Sequence, residues 1–137
     1  FIRDYMGPLF EKLGLDTEIW LGTLNGPEVD NRFLYTGYDD YANLVLSDRE
    51  ARKYLSGVSY QWCGKYALQQ TYMSWPEMKY MQTENECEEG QNTWEYARYI
   101  FNLYRHYFTN GVNSYIYWNM VLQPGGKSTW GWSQNSM

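Results

Sequence analysis

Four short runs rich in β-branched and aromatic residues punctuate the chain. They are Glu18-Ile19-Trp20-Leu21-Gly22-Thr23-Leu24, Val58-Ser59-Tyr60-Gln61-Trp62, about Lys79 to Thr83, and Ser114-Tyr115-Ile116-Tyr117-Trp118-Asn119-Met120. Runs of this kind, bounded by Gly, Pro and polar residues, read as strands. The segments between them carry helical marks. Ile2, Tyr5, Met6, Leu9, Phe10 and Leu13 recur at helical spacing, perturbed at Gly7-Pro8 and ended at Gly14. Ser47-Asp48-Arg49-Glu50 has the form of a capping box and predicts a helix through about Leu55, stopped by Gly57. Tyr66 to Trp75 is ambiguous in pattern and takes the place of a helix in the alternation. Asn92-Thr93-Trp94-Glu95 opens the longest helix, which runs to about Thr109 and ends at Asn110-Gly111. Asn25 to Asn43 has no clean period and reads as a long loop.

Strands that alternate with helices form a parallel sheet, since each parallel connection must cross the sheet and does so through a helix. Such a sheet belongs either to an open doubly wound fold or to a barrel. No Gly-rich phosphate loop follows any of the four strands, and each ends in polar or aromatic residues, as strands do at the catalytic face of a (β/α)8 barrel. A whole barrel takes about 250 residues. The expectation for residues 1–137 is therefore an α/β fold, about half of a TIM (β/α)8 barrel. The chain starts without Met at Phe1 and stops at Asn135-Ser136-Met137, which reads as a segment of a longer protein whose compartment is not legible.

Charge and composition remove several function classes. With 11 Lys+Arg against 16 Asp+Glu the net charge is −5, and no Lys/Arg stripe supplies the counterion release that drives nucleic-acid binding. No apolar run approaches the roughly 18–20 residues of a membrane-spanning helix. Hydrophobic residues at 44% and charged residues at 20% exclude intrinsic disorder. Only Cys63, Cys87 and His106 could serve as soft or imidazole ligands, without CxxC or HxxxH spacing, so neither a metal nor another cofactor is expected. The two cysteines follow adjacent strands, close enough for a bridge in principle, and are read as free thiols. His106 sits inside the long helix and reads as a packing residue. The surplus of 15 Tyr and 7 Trp over 5 Phe suits either a tyrosine-rich core or a wet aromatic platform for sugar rings. Tyr96, Tyr99, Leu103 and Tyr107, at helical spacing, are read as packing residues.

The sharpest chemical feature is Tyr80-Met81-Gln82-Thr83-Glu84-Asn85-Glu86-Cys87, where a carboxylate stands at the point an apolar strand runs out. Catalytic residues of barrels occupy that position, and an ionised carboxylate there can attack an anomeric carbon as the nucleophile of a retaining glycosidase. The plainer alternative is a solvated acidic run, since Glu86, Glu88 and Glu89 follow.

Taken together, Phe1-Ile2-Arg3-Asp4 with Gly7-Pro8, Leu46-Ser47-Asp48 with Glu50-Ala51 and Lys53-Tyr54, Gln61-Trp62, Thr83-Glu84, Tyr117-Trp118-Asn119 and Pro124-Gly125-Gly126 resemble glycoside hydrolase family 30. These are the retaining β-glycosidases that include glucosylceramidases. The resemblance runs along essentially the whole chain and implies the C-terminal half of the catalytic barrel, strands five to eight, completed in the parent by the other half and a small β-structured domain. It implies Glu84 as nucleophile, with Trp62 and Trp118 lining the sugar subsite, Gln61 and Asn119 as polar neighbours, and Trp130 and Trp132 extending the acceptor side. The family's acid/base glutamate follows the fourth strand, and no matching Asn-Glu motif precedes Glu18. Candidate substitutes Asp39, Asp40 and Glu86 do not match it. Gln61-Trp62-Cys63 stands where the glucosylceramidase branch has His-Trp-Tyr, and Asn85-Glu86-Cys87 replaces Ala-Cys, which favours a free β-glucan or β-glucoside over a lipid substrate. The competing function is a noncatalytic carbohydrate-binding module that uses the same Trp and Tyr platform.

Overall fold

Tyr60 and Tyr80 fix which side of the sheet is the core. Both are fully buried, and their hydroxyls reach the same helix: Tyr60 donates to Thr71 Oγ1 at 2.6 Å, and Tyr80 donates to the Trp75 and Thr71 carbonyls at 2.8 and 3.1 Å. Burial pushes the Tyr80 hydroxyl pKa upward, so it stays a neutral donor. The structure is a computed structural model describing residues 1–25, 40–86, 93–118, 121, 124 and 126, with 40, 41 and 86 described by their backbone.

A π-helical turn (Ile2–Met6) leads into α1 (Gly7–Leu13), then β1 (Ile19–Leu24), α2 (Asp40–Ser47), α3 (Arg49–Arg52) and β2 (Leu55–Gln61). A 3-10 turn (Trp62–Gly64), α4 (Lys65–Ser74), β3 (Lys79–Glu86), α5 (Trp94–Thr109) and β4 (Val112–Trp118) follow. The four strands form one sheet in the order β1-β2-β3-β4, and every pair is parallel. A sequential order without reversal contains no topological switch point, which separates this sheet from a doubly wound one. It is an α/β fold with the arrangement of part of a (β/α)8 barrel. Val58, Tyr60, Tyr80, Leu46, Leu68, Leu103 and Tyr107 form the buried layer between sheet and helices.

Local chemistry explains most element ends, and in several places it differs from the expectation. The first helix is split: the Gly7 N–H bonds to the Ile2 carbonyl, five residues back, before Pro8 enters α1, and Gly14 closes it at φ 64°. The cap of α3 is Asp48 and not Ser47, because Ser47 is still the last residue of α2. Asp48 Oδ1 accepts from the amides of Glu50 at 2.9 Å and Ala51 at 3.2 Å, while Glu50 bonds Lys53 at 2.8 Å instead of reaching back. Helix α3 therefore ends at Arg52, not near Leu55, and Leu55 already belongs to β2. Gly57 does not stop a helix. It lies within β2, where a Cβ would strike the Trp20 ring and the Lys79 carbonyl, so the absent side chain permits strand contact. The expected loop to Asn43 is shortened, since α2 begins at Asp40 and buries Ala42 and Leu46 one turn apart. The long helix is capped by Thr93, whose Oγ1 accepts from the Tyr96 amide at 3.2 Å. Of its aromatics, Tyr107 is buried in the core, whereas Tyr99 is 40% exposed and packs edge-on against Tyr96 with ring centroids 5.4 Å apart. His106 does pack: a ring nitrogen lies 2.8 Å from the Lys65 carbonyl and links α5 to α4.

Candidate functional site

Strand alternation assigns the two faces of the sheet. Val58 and Tyr60 face the helices with Tyr80, so Ser59 and Gln61 of β2 and Met81 of β3 stand on the opposite face, the interior side of a barrel. Glu84 is in register with Gln61 and shares that face at the C-terminal end of β3. It is half-buried, with no hydrogen-bond or ion-pair partner among the described residues. One strand further on, Trp118 is in register with Glu86 and is 43% exposed at the end of β4.

The neighbours of Glu84 are tied down by side chains that sequence reading did not single out. Thr23, at the end of β1, donates to Gln61 Oε1 at 3.2 Å, and the Asn25 side chain accepts from the Cys63 amide at 2.9 Å. The turn after β2 is thereby fastened to the end of β1. Trp62 is not a strand residue as expected: β2 ends at Gln61, and Trp62 opens the 3-10 turn. Its side chain is half-buried, with an indole Nε1 that meets no acceptor among the described residues. Cys63, in the same turn, is a free thiol. Asn119, Trp130, Trp132, Asp39 and Cys87 lie outside the described residues, and Asp40 and Glu86 are described by backbone only. The structure therefore brings Gln61, Glu84 and Trp118 to one end of three adjacent strands, with Trp62 on the turn beside them.

A cleft of about 410 Å³ opens at the other end of the sheet, lined by Phe10, Asp16, Glu18, Tyr54 and Ser56 among others. It sits where β1 and β2 begin, the end of a parallel sheet that carries stability rather than chemistry in barrels. Glu18 there pairs with Lys79 and accepts from Trp20 Nε1 at 3.0 Å. The Lys79 contact, followed by the Trp20 bond, holds the Glu18 carboxyl below its ordinary pKa. At the start of the chain Arg3 bonds Asp4 at 2.7 Å and Asp48 at 2.9 Å, which joins the first helical turn to the cap of α3.

No family model matches the chain, and no curated protein does. Among solved structures it is similar to the endo-β-1,6-glucanase BT3312, with a TM-score of 0.72 and 18% identity over 98% of this chain and 31% of that one. It is also similar to SrfJ from Salmonella typhimurium, with a TM-score of 0.68 and 18% identity over 98% of this chain and 30% of that one. The chain thus spans about a third of the length of the structures it matches. The likeness is one of fold, and one of the two proteins that share it is a glycosidase by name.

Proposed function

We propose that residues 1–137 form the C-terminal half of the catalytic barrel of a retaining β-glycosidase, and that Glu84 is its nucleophile. The observation that carries this reading is the placement of Glu84: a carboxylate at the C-terminal end of a parallel strand, on the face away from the helices, between Gln61 and the Trp118 strand. A barrel puts its reacting groups there. The likeness in fold to an endo-β-1,6-glucanase supports the same class of chemistry.

In this reading a Glu84 oxygen attacks the anomeric carbon, the bond from that carbon to the leaving oxygen breaks, and a second carboxyl group gives the leaving oxygen its proton. Water then attacks the same carbon, giving its proton to that second group and releasing Glu84 as a carboxylate. The second group must stand about 5–5.5 Å from the first. It comes from the half of the barrel outside residues 1–137. Trp118 supplies an aromatic face for the sugar ring, with Trp62, Gln61, Asn119 and Trp130 as further substrate contacts. The substrate is a β-linked glucoside, with a free β-glucan preferred over a glycolipid because Gln61 and Cys63 replace the residues of the glucosylceramidase branch.

Two outcomes are expected of the protein that carries the whole barrel. Time-resolved NMR shows the β-anomer as the first product, and Glu84→Gln, which keeps the shape but loses the nucleophile, abolishes turnover while the circular dichroism spectrum stays unchanged. Inversion, or near-normal rates in the Gln variant, removes the role assigned to Glu84.

A further inference from the structure

Strand β3 carries an extra residue at the point where Glu84 stands. Toward β2 the register runs Tyr60 to Gln82 and then Gln61 to Glu84, passing over Thr83. Toward β4 it runs Gln82 to Tyr115 and then Asn85 to Tyr117, so that Thr83 and Glu84 together oppose Ile116. Two residues against one is a β-bulge, which interrupts the ladder, bends the strand and re-aims the side chains within it. Backbone groups that lose ladder partners in a bulge need others. Here the partners are side chains from the bulge: the Ile116 N–H donates to Gln82 Oε1 at 3.2 Å, and the Thr83 hydroxyl donates to the Tyr60 carbonyl at 3.1 Å.

Gln82 is fully buried, and because an N–H can only donate, its amide oxygen must be the atom that faces Ile116. Its Nε2 meets no acceptor among the described residues, so within them this side chain is held through its oxygen. A buried amide is an expensive choice where an apolar residue would pack as well. Its use here is to supply an acceptor at the height of the sheet where the bulge has removed one.

We infer that Gln82 and Thr83 are positioning residues for Glu84. They close the two sides of the bulge and so fix the direction in which the carboxylate leaves the strand. The inference rests on the reading of Glu84 as nucleophile, and its cost structure differs from that of a core residue. Losing either bond removes one hydrogen bond from the fold, whereas a displacement of about 1 Å at a reacting group can cost on the order of 10²-fold in rate.

The test uses the protein with the complete barrel and an activated 2-deoxy-2-fluoro-β-glucoside. Attack by Glu84 on the anomeric carbon expels the activated leaving group and leaves a slowly hydrolysed glycosyl ester, read as a mass increase of the intact protein. In Gln82→Met and Thr83→Val the maximal trapping rate falls about 10- to 100-fold, with half-saturation and melting temperature little changed. Thr83→Ser, which restores the hydroxyl, returns most of the rate. The Ile116 amide exchanges its hydrogen faster in Gln82→Met than in the wild type, a readout that needs no reaction. Wild-type trapping rates in Gln82→Met and Thr83→Val, or a Thr83→Ser variant as slow as Thr83→Val, overturn the inference. If Gln82→Met does not fold, the Thr83 pair decides. A wild type that is never labelled at Glu84 sinks the nucleophile assignment instead, and the exchange rate at Ile116 still decides whether Gln82 closes the bulge.

Discussion

Plain alternation from Tyr80 would turn Glu84 toward the helices, and the register shift that passes over Thr83 sets it opposite Gln61, on the other face. Trp118 is 43% exposed, so part of its ring is open to a ligand. Trp118→Ala is therefore expected to weaken binding of a substrate analogue by about 1–3 kcal/mol, through lost stacking and apolar contact, with the melting temperature nearly unchanged. Calorimetry with the analogue checks this, and unchanged affinity with a lowered melting temperature would make Trp118 a packing residue. The strand-end position of Glu84 was legible from sequence because a charged residue at the end of an apolar strand breaks the pattern visibly. Gln82 and Thr83 were not. Their partners, Ile116 and Tyr60, lie on different strands, and only the register across β2, β3 and β4 brings them together.

The elements were legible where backbone chemistry marks them and obscure where packing alone makes them. Gly14, Thr93 and the Asn110-Gly111 pair have conformations or side-chain bonds that few other residues supply, and each marks a helix end that sequence locates within a residue or two. Helix α2 has no counterpart in the sequence reading, which places a loop to Asn43 and a helix only from Ser47: Asp40 to Asn43 shows no period, and the helix rests on Ala42 and Leu46 meeting the core. Gly57 misled for a related reason: a glycine that admits a neighbouring ring looks the same in sequence as one that ends a helix. The cap at Asp48 has a consequence in solution. The Ala51 amide bond first, then the Glu50 amide and the Arg3 guanidinium, hold the Asp48 carboxyl below its ordinary pKa. A group depressed in this way contributes stability above its unfolded pKa, near pH 4, and loses that contribution as pH falls through its folded value. Asp48→Asn keeps the capping oxygen and removes the charge. Its melting temperature should lie below the wild type at pH 7, and the gap should close as pH falls below about 4. A gap that is constant from pH 7 to pH 3 would assign the effect to something other than the ionised cap.

In the molecule as a whole, the sheet has four strands among the described residues, with β1 and β4 outermost in it, and Ile116 and Trp118 on β4 are 47% and 43% exposed. A strand without a neighbour on one side favours pairing with another chain. Residues 1–137 expressed alone are expected to self-associate in light scattering and to leave an aryl β-glucoside intact, since the proposed mechanism takes its second carboxyl group from outside residues 1–137. Turnover by a monodisperse monomer, lost in Glu84→Gln, would show that the half-barrel is self-sufficient. The most direct measurement is peptide mapping of the protein with its complete barrel after trapping with the fluoroglucoside. A glycosyl group on the peptide from β3, carried by Glu84, is the expected result; a label on any other carboxylate, with Glu84 unmodified, would contradict it.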